Sequence, residues 1–445
     1  MKIVFRDPTF SALLLRTLAD TYYKGADIGE CLSTAYRIKE GDFESWYEEW
    51  IKTAKRVQSY AEDSATNGHA TSAREAYLRA TNYYRTAAFF LVDSKDQRLP
   101  SAIDQSKECF RKATPLFPFV VEPIEIPYEG ILLPGYFYHA PRNHNNHYKS
   151  QFGKESNLVH EQENGLENDN HDESIATSSS YPTLVVHGGF DSTLEELYFF
   201  GAAPSLDRGY NCLTFEGPGQ GNVIVKHKLP FRYDWEKVVT PVLDFALSKK
   251  SEYKIDPEKI TLMGISMGAL LAARAVSFEH RFAAVVLYDG VYDGYEGVTA
   301  SFPPQMLDAI GRGDAEFVNK TLNELMQSDS NIKFNMKHGM WTTGANSPYE
   351  LITGAKKYSV KDILKNITCP TLVLEGEKDD SFPGQPKKVY DGLVSVPSSS
   401  KKYIVFTEEE GGEEHCQTGA TGLVNQRIFD WLSETFRIQT KKMNQ

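Results

Sequence analysis

The chain has 445 residues, enough for two or three domains around a large buried core. Hydrophobic residues make up 41% and charged residues 24%, the balance of an ordinary globular protein rather than a disordered or fibrous one. A formal net charge of -12, with no local basic stripe to offset it, argues against nucleic acid and anionic membrane surfaces as partners.

The N-terminus, MKIVFRDPTFSALLLRTLAD, has a short apolar stretch that Arg16 interrupts, and no small-residue cleavage site follows it. This predicts an amphipathic helix rather than a signal peptide, and no apolar run reaches membrane-spanning length. The five cysteines (Cys31, Cys109, Cys212, Cys369, Cys416) are scattered and never form a CxxC pair. Free thiols in a reducing, cytoplasmic compartment are expected, with neither disulfides nor a zinc site.

Residues from about 10 to 115 read as helical. Trp46, Trp50, Ala54, Val57 and Ala61 recur at three- and four-residue steps, and so do Ala73, Ala76, Tyr77, Ala80, Tyr83, Tyr84 and Ala87. A helical cap over residues 1–118, packed on a second domain (119–445), is the expected arrangement. Beyond it, alternating β-branched and aromatic residues around Tyr128-Glu129-Gly130 predict a pair of strands.

The stretch 142–180 is rich in Asn, His, Glu and Ser and is almost without apolar residues. Its composition predicts a disordered insertion. Its histidines (His144, His147, His160, His171) lack the regular spacing of a metal site. From Tyr181 onward, short apolar runs alternate with segments of helical length: TLVVHGG, YNCLTFEG, KITLMG, AAVVLYDG, PTLVLEG and KKYIVF. That alternation predicts a mostly parallel sheet with helices on both faces. The long connection at 291–368 predicts a helical lid.

The most informative segment for chemistry is Gly264-Ile265-Ser266-Met267-Gly268, between the strand KITLM and the small-residue helix ALLAARAV. This is the setting of a nucleophile elbow, a sharp strand-to-helix turn that leaves a serine hydroxyl exposed at the end of a sheet. A serine needs a base and an orienting carboxylate, in the chain order Ser, acid, His. Asp379, three residues past Gly376 and four before Pro383, suits the acid, with Asp380 as the local alternative. His415 in EEEGGEEHCQTGA suits the base, because His338 and His280 both precede the acid. Cys416 has no elbow of its own and is expected to pack. The Met267 amide and that of Phe190 or Gly189, in HGGFDST, are the expected oxyanion donors. Asp191 in the same loop reads, from spacing alone, as a turn or helix-capping carboxylate.

Together, HGGFDST, FEGPGQG, GISMGALLAARA, PTLVLEGEKDDSFPGQP and EEHCQTGA resemble one branch of the α/β-hydrolase superfamily. That branch contains 2,6-dihydroxypseudooxynicotine hydrolase and fungal hydrolases that shorten naphthopyrone polyketides. The resemblance runs from about Phe43 to Leu432, with the cap and the MWTTGANSPYE lid but without the 142–180 insertion. It implies an α/β-hydrolase fold and hydrolysis of a carbon–carbon bond beside a ketone by Ser266, Asp379 and His415. It further implies an acidic site residue after Gly-Gly-Phe, which is Asp191, and a homodimer. No cofactor or metal is expected. Two other readings stay open: a carboxylesterase or amidase using the same residues, and a catalytically silent binding module. Glu216, Trp341 and Phe302 are candidates for the substrate pocket. The loop FEGPGQG lacks the spacing of a phosphate-binding motif. It is read as a tight turn beside the site, with no helix directly after it.

Overall fold

The computed structural model describes residues 3–141 and 180–443, with side chains up to residue 439. The segment 142–179, with the four histidines noted above, lies outside the described residues.

Five helices open the chain: α1 (Pro8–Ala19), α2 (Ile28–Ala35), α3 (Phe43–Thr66), α4 (Ala70–Ala88) and α5 (Arg98–Ala113). The first three begin on aspartates whose carboxylates take free backbone N–H groups: Asp7, Asp27 and Asp42. The predicted α3 stripe is fully buried, and the α4 stripe faces it. Trp46 also donates its indole N–H to Thr86 O at 2.8 Å. Truncating such a side chain to alanine costs about 3–5 kcal/mol.

Eight strands form one sheet in the order β1-β2-β4-β3-β5-β6-β7-β8. They are β1 (Val121–Tyr128), β2 (Ile131–Tyr138), β3 (Tyr181–His187), β4 (Asn211–Phe215), β5 (Ile255–Ile265), β6 (Ala284–Tyr288), β7 (Thr371–Gly376) and β8 (Lys401–Phe406). β1 and β2 form the predicted hairpin, and its two turn residues, Glu129 and Gly130, both have positive φ. β2 also runs antiparallel to β4, and all later pairings are parallel. The central strands β3, β4 and β6 are buried on both faces, which is why they read as unbroken apolar runs, whereas the edge strand β8 is partly exposed.

Between β6 and β7 lie the five helices Gly294–Thr299, Pro304–Arg312, Ala315–Leu325, Ser330–Thr343 and Pro348–Gly354. They share a small core of their own around Met306, Ile310, Leu322 and Ile352. The fourth of them, Ser330–Thr343, also meets the N-terminal helices: Phe334 stacks on Phe89, just past α4, with centroids 5.0 Å apart. Cap and lid thus touch above the carboxyl ends of the strands. FEGPGQG runs into a short helical turn at Val223–His227, where the sequence reading expected none. Three glycines and a proline make the loop a poor helix former, but the β-branched residues after it close onto the core.

Candidate active site

β5 delivers Ser266 with φ 61° and ψ -131°, and the helix Met267–Val276 starts at the next residue. A serine in this backbone region is strained, and such strain persists only where the surroundings dictate it. The two flanking glycines explain how the turn closes. A Cβ on Gly264 would stand 2.1 Å from Gly268 O, and one on Gly268 would stand 2.5 Å from Gly188 O. Larger residues at either place would push strand, helix and loop apart.

Ser266 Oγ lies 2.8 Å from His415 Nε2, and His415 Nδ1 lies 2.8 Å from Asp379 Oδ2. The structure therefore brings together the three residues singled out from chain order. Asp380 and His280 take no part in this relay. Burial alone would lift the Asp379 pKa, but the facing His415 outweighs it and holds the carboxyl below its usual range. Burial likewise lowers the His415 imidazole, yet its neighbours, Asp379 foremost, hold it well above the ordinary histidine range. Cys416 sits beside it, buried, its thiol pushed up to about 12 mainly by burial. A neutral thiol of that kind fits packing rather than nucleophilic attack.

Asp289, which the sequence reading passed over, is also at this histidine. It directly follows β6, is fully buried, and its Oδ2 lies 3.1 Å from His415 Nδ1. The signal was the Asp-Gly after AAVVLY, an acid at a strand's carboxyl end like Asp379 after β7. Asp289, His415 and Cys416 also hold ligand atoms within 4.8 Å of one another. The carboxylate and imidazole of that trio are already engaged with each other.

On the other side of Ser266 lies the loop 188–193. A Cβ on Gly189 would stand 2.9 Å from Met267 N, so this loop lies directly against the elbow. The Gly189 amide donates to Ser192 Oγ at 3.2 Å, which leaves Phe190 as the better placed of the two expected loop donors. FEGPGQG holds this loop from behind. Gln220 Nε2 donates to Gly188 O at 2.6 Å and to Gly189 O at 3.2 Å. Glu216 accepts the Leu194 amide at 2.7 Å and the Asn222 amide at 2.9 Å. Gly221, with φ 33°, lets that carboxylate in, since a Cβ there would stand 1.8 Å from Glu216 Oε1. Glu216 is thus a buried fastener of two loops, not a pocket wall.

Asp191 faces the N-terminal helices. Both its oxygens accept from Arg16 Nη1 at 3.0 Å, while Arg16 Nε donates to Glu196 at 2.7 Å. Burial raises the Asp191 pKa, but Arg16 and then His338 outweigh it and keep the carboxyl ionised. Arg16 was noted in the sequence only as an interruption of an apolar run. A cation there is now explained by two carboxylates that lie some 175 residues downstream.

A cavity lies between α4, α5, the 188–193 loop and the lid helix Ser330–Thr343. Phe89, Phe190, Phe334 and Trp341 supply its aromatic surface, and Arg85, Asp191, Glu195 and His338 its polar groups. His338 Nε2 donates to Phe190 O at 3.0 Å, tying lid to loop. Trp341 lines this cavity. Phe302 does not: it packs against the lid's own core, because it belongs to the turn between two lid helices. Ser266 is not among the lining residues, and the 188–193 loop is the wall between cavity and elbow.

Sheet order, elbow and relay define an α/β-hydrolase. The α/β-hydrolase family model matches residues 183–416, more than half of the chain. The chain is 32% identical to the hydrolase LUC6 of a Fusarium species, over 100% of both chains. It is 34% identical to the 20-hydroxy-prefusarin hydrolase FUS2 of Gibberella moniliformis, over 99% of both. Among solved structures, 2,6-dihydroxy-pseudo-oxynicotine hydrolase superposes with a TM-score of 0.68 at 21% identity, covering 94% of this chain and 95% of that one. The protein belongs to the α/β-hydrolase family and is an enzyme of that class. Among the described residues, no helix is long and apolar enough to cross a membrane.

Proposed function

We propose that the enzyme is a serine hydrolase that cleaves a carbon–carbon bond beside a ketone in an oxygen-rich aromatic or polyketide substrate. The observation that carries this reading is the relay Ser266–His415–Asp379, with both bonds at 2.8 Å, behind a strained elbow. His415 Nε2 takes the Ser266 proton as Oγ bonds to the ketone carbon. The oxyanion is met by the Met267 and Phe190 amides. The carbon–carbon bond then breaks, and its electron pair leaves on a carbon that an enol or electron-rich ring stabilises. His415 returns the proton to that carbon, and water, deprotonated by His415, releases the acyl group from Ser266.

The proton donor in this scheme is His415 rather than Asp191, because an ionised carboxylate held by Arg16 has no proton to give. Asp191 instead sets the position of the oxyanion loop. Aromatic side chains beside the elbow support the substrate class: Phe382 lies against His415 with ring centroids 5.8 Å apart, and Phe190 stands on the loop that adjoins Met267. Their faces suit a flat ring system. The similarity to an enzyme named for hydrolysis of 20-hydroxy-prefusarin points in the same direction.

The test compares β-diketones and aryl polyketones with p-nitrophenyl esters. The reading expects diketone cleavage into an acid and a ketone, abolished in Ser266→Ala. Ester turnover with no diketone cleavage would reduce the enzyme to a carboxylesterase.

A further inference from the structure

We propose that Asp289 is a second carboxylate partner of the catalytic histidine, setting a second negative charge against the His415 Nδ1 that Asp379 hydrogen-bonds and fixing the loop that carries the imidazole. This rests on Ser266 and His415 acting as nucleophile and base. The two carboxylates come from different strands, Asp289 from the end of β6 and Asp379 from the turn after β7. Their Oδ2 atoms stand 3.1 Å and 2.8 Å from the same nitrogen. Asp289 is fully buried, where a carboxylate is costly unless paired and hydrogen-bonded. Its other bonds all go to the histidine loop: Oδ2 also accepts the Cys416 amide, and Oδ1 accepts the Gln417 side chain. Cys416 and Gln417 have φ of 53° and 44°, a backbone region that non-glycine residues seldom occupy. Asp289 itself has φ 63°, so strained backbone meets strained backbone across these bonds. Tyr288 adds one more tie, donating its hydroxyl to Cys416 O at 3.0 Å.

The charges around the imidazole are few. Asp379, Asp289 and Cys416 face it directly, and Glu375 lies behind Asp379. The Cys416 thiol is neutral at pH 7, so the two carboxylates are the charges that act. Burial first, and then Asp379, push the Asp289 carboxyl up to about 6, against the pull of His415. Above that pH two anions face one imidazole. Both favour the imidazolium that forms as Ser266 is deprotonated, and both make His415 more basic at rest. Losing Asp289 therefore lowers the His415 pKa and weakens its support in the transition state.

Two consequences separate this role from mere fastening of a loop. Asp289→Asn keeps an oxygen that can accept the Cys416 amide but removes the charge. Where a triad has a single acid, replacing it by asparagine costs ~10⁴-fold; a second carboxylate in place would limit that loss to about 10²-fold or less.

The experiment follows the rate of Ser266 phosphonylation by a fluorophosphonate across pH, by intact mass, in the full-length wild type and in Asp289→Asn, Asp379→Asn and the double variant. The expected result has three parts: in Asp289→Asn the acidic limb moves to lower pH with a reduced plateau; Asp379→Asn stays within about 10²-fold of wild type; the double variant falls to the ~10⁴-fold loss of an acid-free triad. An unmoved acidic limb in folded Asp289→Asn, or an Asp379→Asn variant as slow as the double, overturns the proposal. Should Asp289→Asn fail to fold, the Asp379→Asn rate alone decides on the same margin. A wild type that is never labelled overturns the serine mechanism itself, a failure distinct from the other two.

Discussion

The His415 loop and the 188–193 loop both face Ser266, but they are held in place by different parts of the chain. The first is fastened by its own sheet: Asp289 and Tyr288 at the end of β6, and Asp379 after β7. The second is held from below by Gln220 and from above by groups outside the sheet, Arg16 of α1 and His338 of the lid. The base side of the site is therefore complete within the sheet and its loops. The 188–193 side also depends on contacts from the N-terminal helices and the lid. Those helices are thus a structural part of the active site and not only a cover.

Substitutions on the two sides should differ in kind. The largest effect is expected from Ser266→Ala, a loss of ~10⁶-fold in kcat with an unchanged melting temperature. Next, Gln220→Ala removes the bonds to Gly188 O and Gly189 O and lets the oxyanion donors drift. Misplacing one such donor costs about 10²–10³-fold in kcat, with little change in KM, as steady-state kinetics would read out. Arg16→Ala leaves Asp191 without its ion-pair partner and Glu196 with Arg85 alone. Removing one member of a buried ion pair destabilises by about 3–5 kcal/mol, so denaturant unfolding should show a marked loss. Equal stability in Arg16→Ala and wild type would mean that α1 does not hold the loop.

A further expected effect is a pH dependence of stability. Burial, and then the facing Glu216, push the Glu195 carboxyl up to about 8. The folded state keeps a proton on Glu195 that the unfolded chain releases near pH 4.3. Folded protein thus binds more protons than unfolded protein between those values, and stability falls as pH rises through that window. Glu195→Gln should flatten this slope, as thermal melts from pH 5 to 9 would reveal.

Much of this arrangement was legible in the amino-acid sequence. The central strands were readable because burial on both faces makes them continuous apolar runs. Ser266 was readable because its turn demands glycine on either side, and His415 and Asp379 because chain order left few alternatives. Arg16 and Asp289 were missed for a physical reason. Each is defined by a partner more than a hundred residues away, 175 between Arg16 and Asp191 and 127 between Asp289 and Cys416. No local pattern encodes such pairs. Phe302 was misplaced because an aromatic residue in a lid packs as readily into the lid's own core as into a pocket. FEGPGQG, which has the look of a phosphate loop, serves as the back support of the 188–193 loop.

The central claim is that Ser266 is the nucleophile and that a ketone substrate acylates it. Rapid quench of the full-length enzyme with a β-diketone, followed by intact-mass and peptide analysis, addresses both halves at once. The account predicts a transient adduct with the mass of the acyl fragment, mapped to Ser266 and absent in Ser266→Ala. Diketone cleavage that proceeds with no adduct on Ser266, or that survives Ser266→Ala, would contradict it.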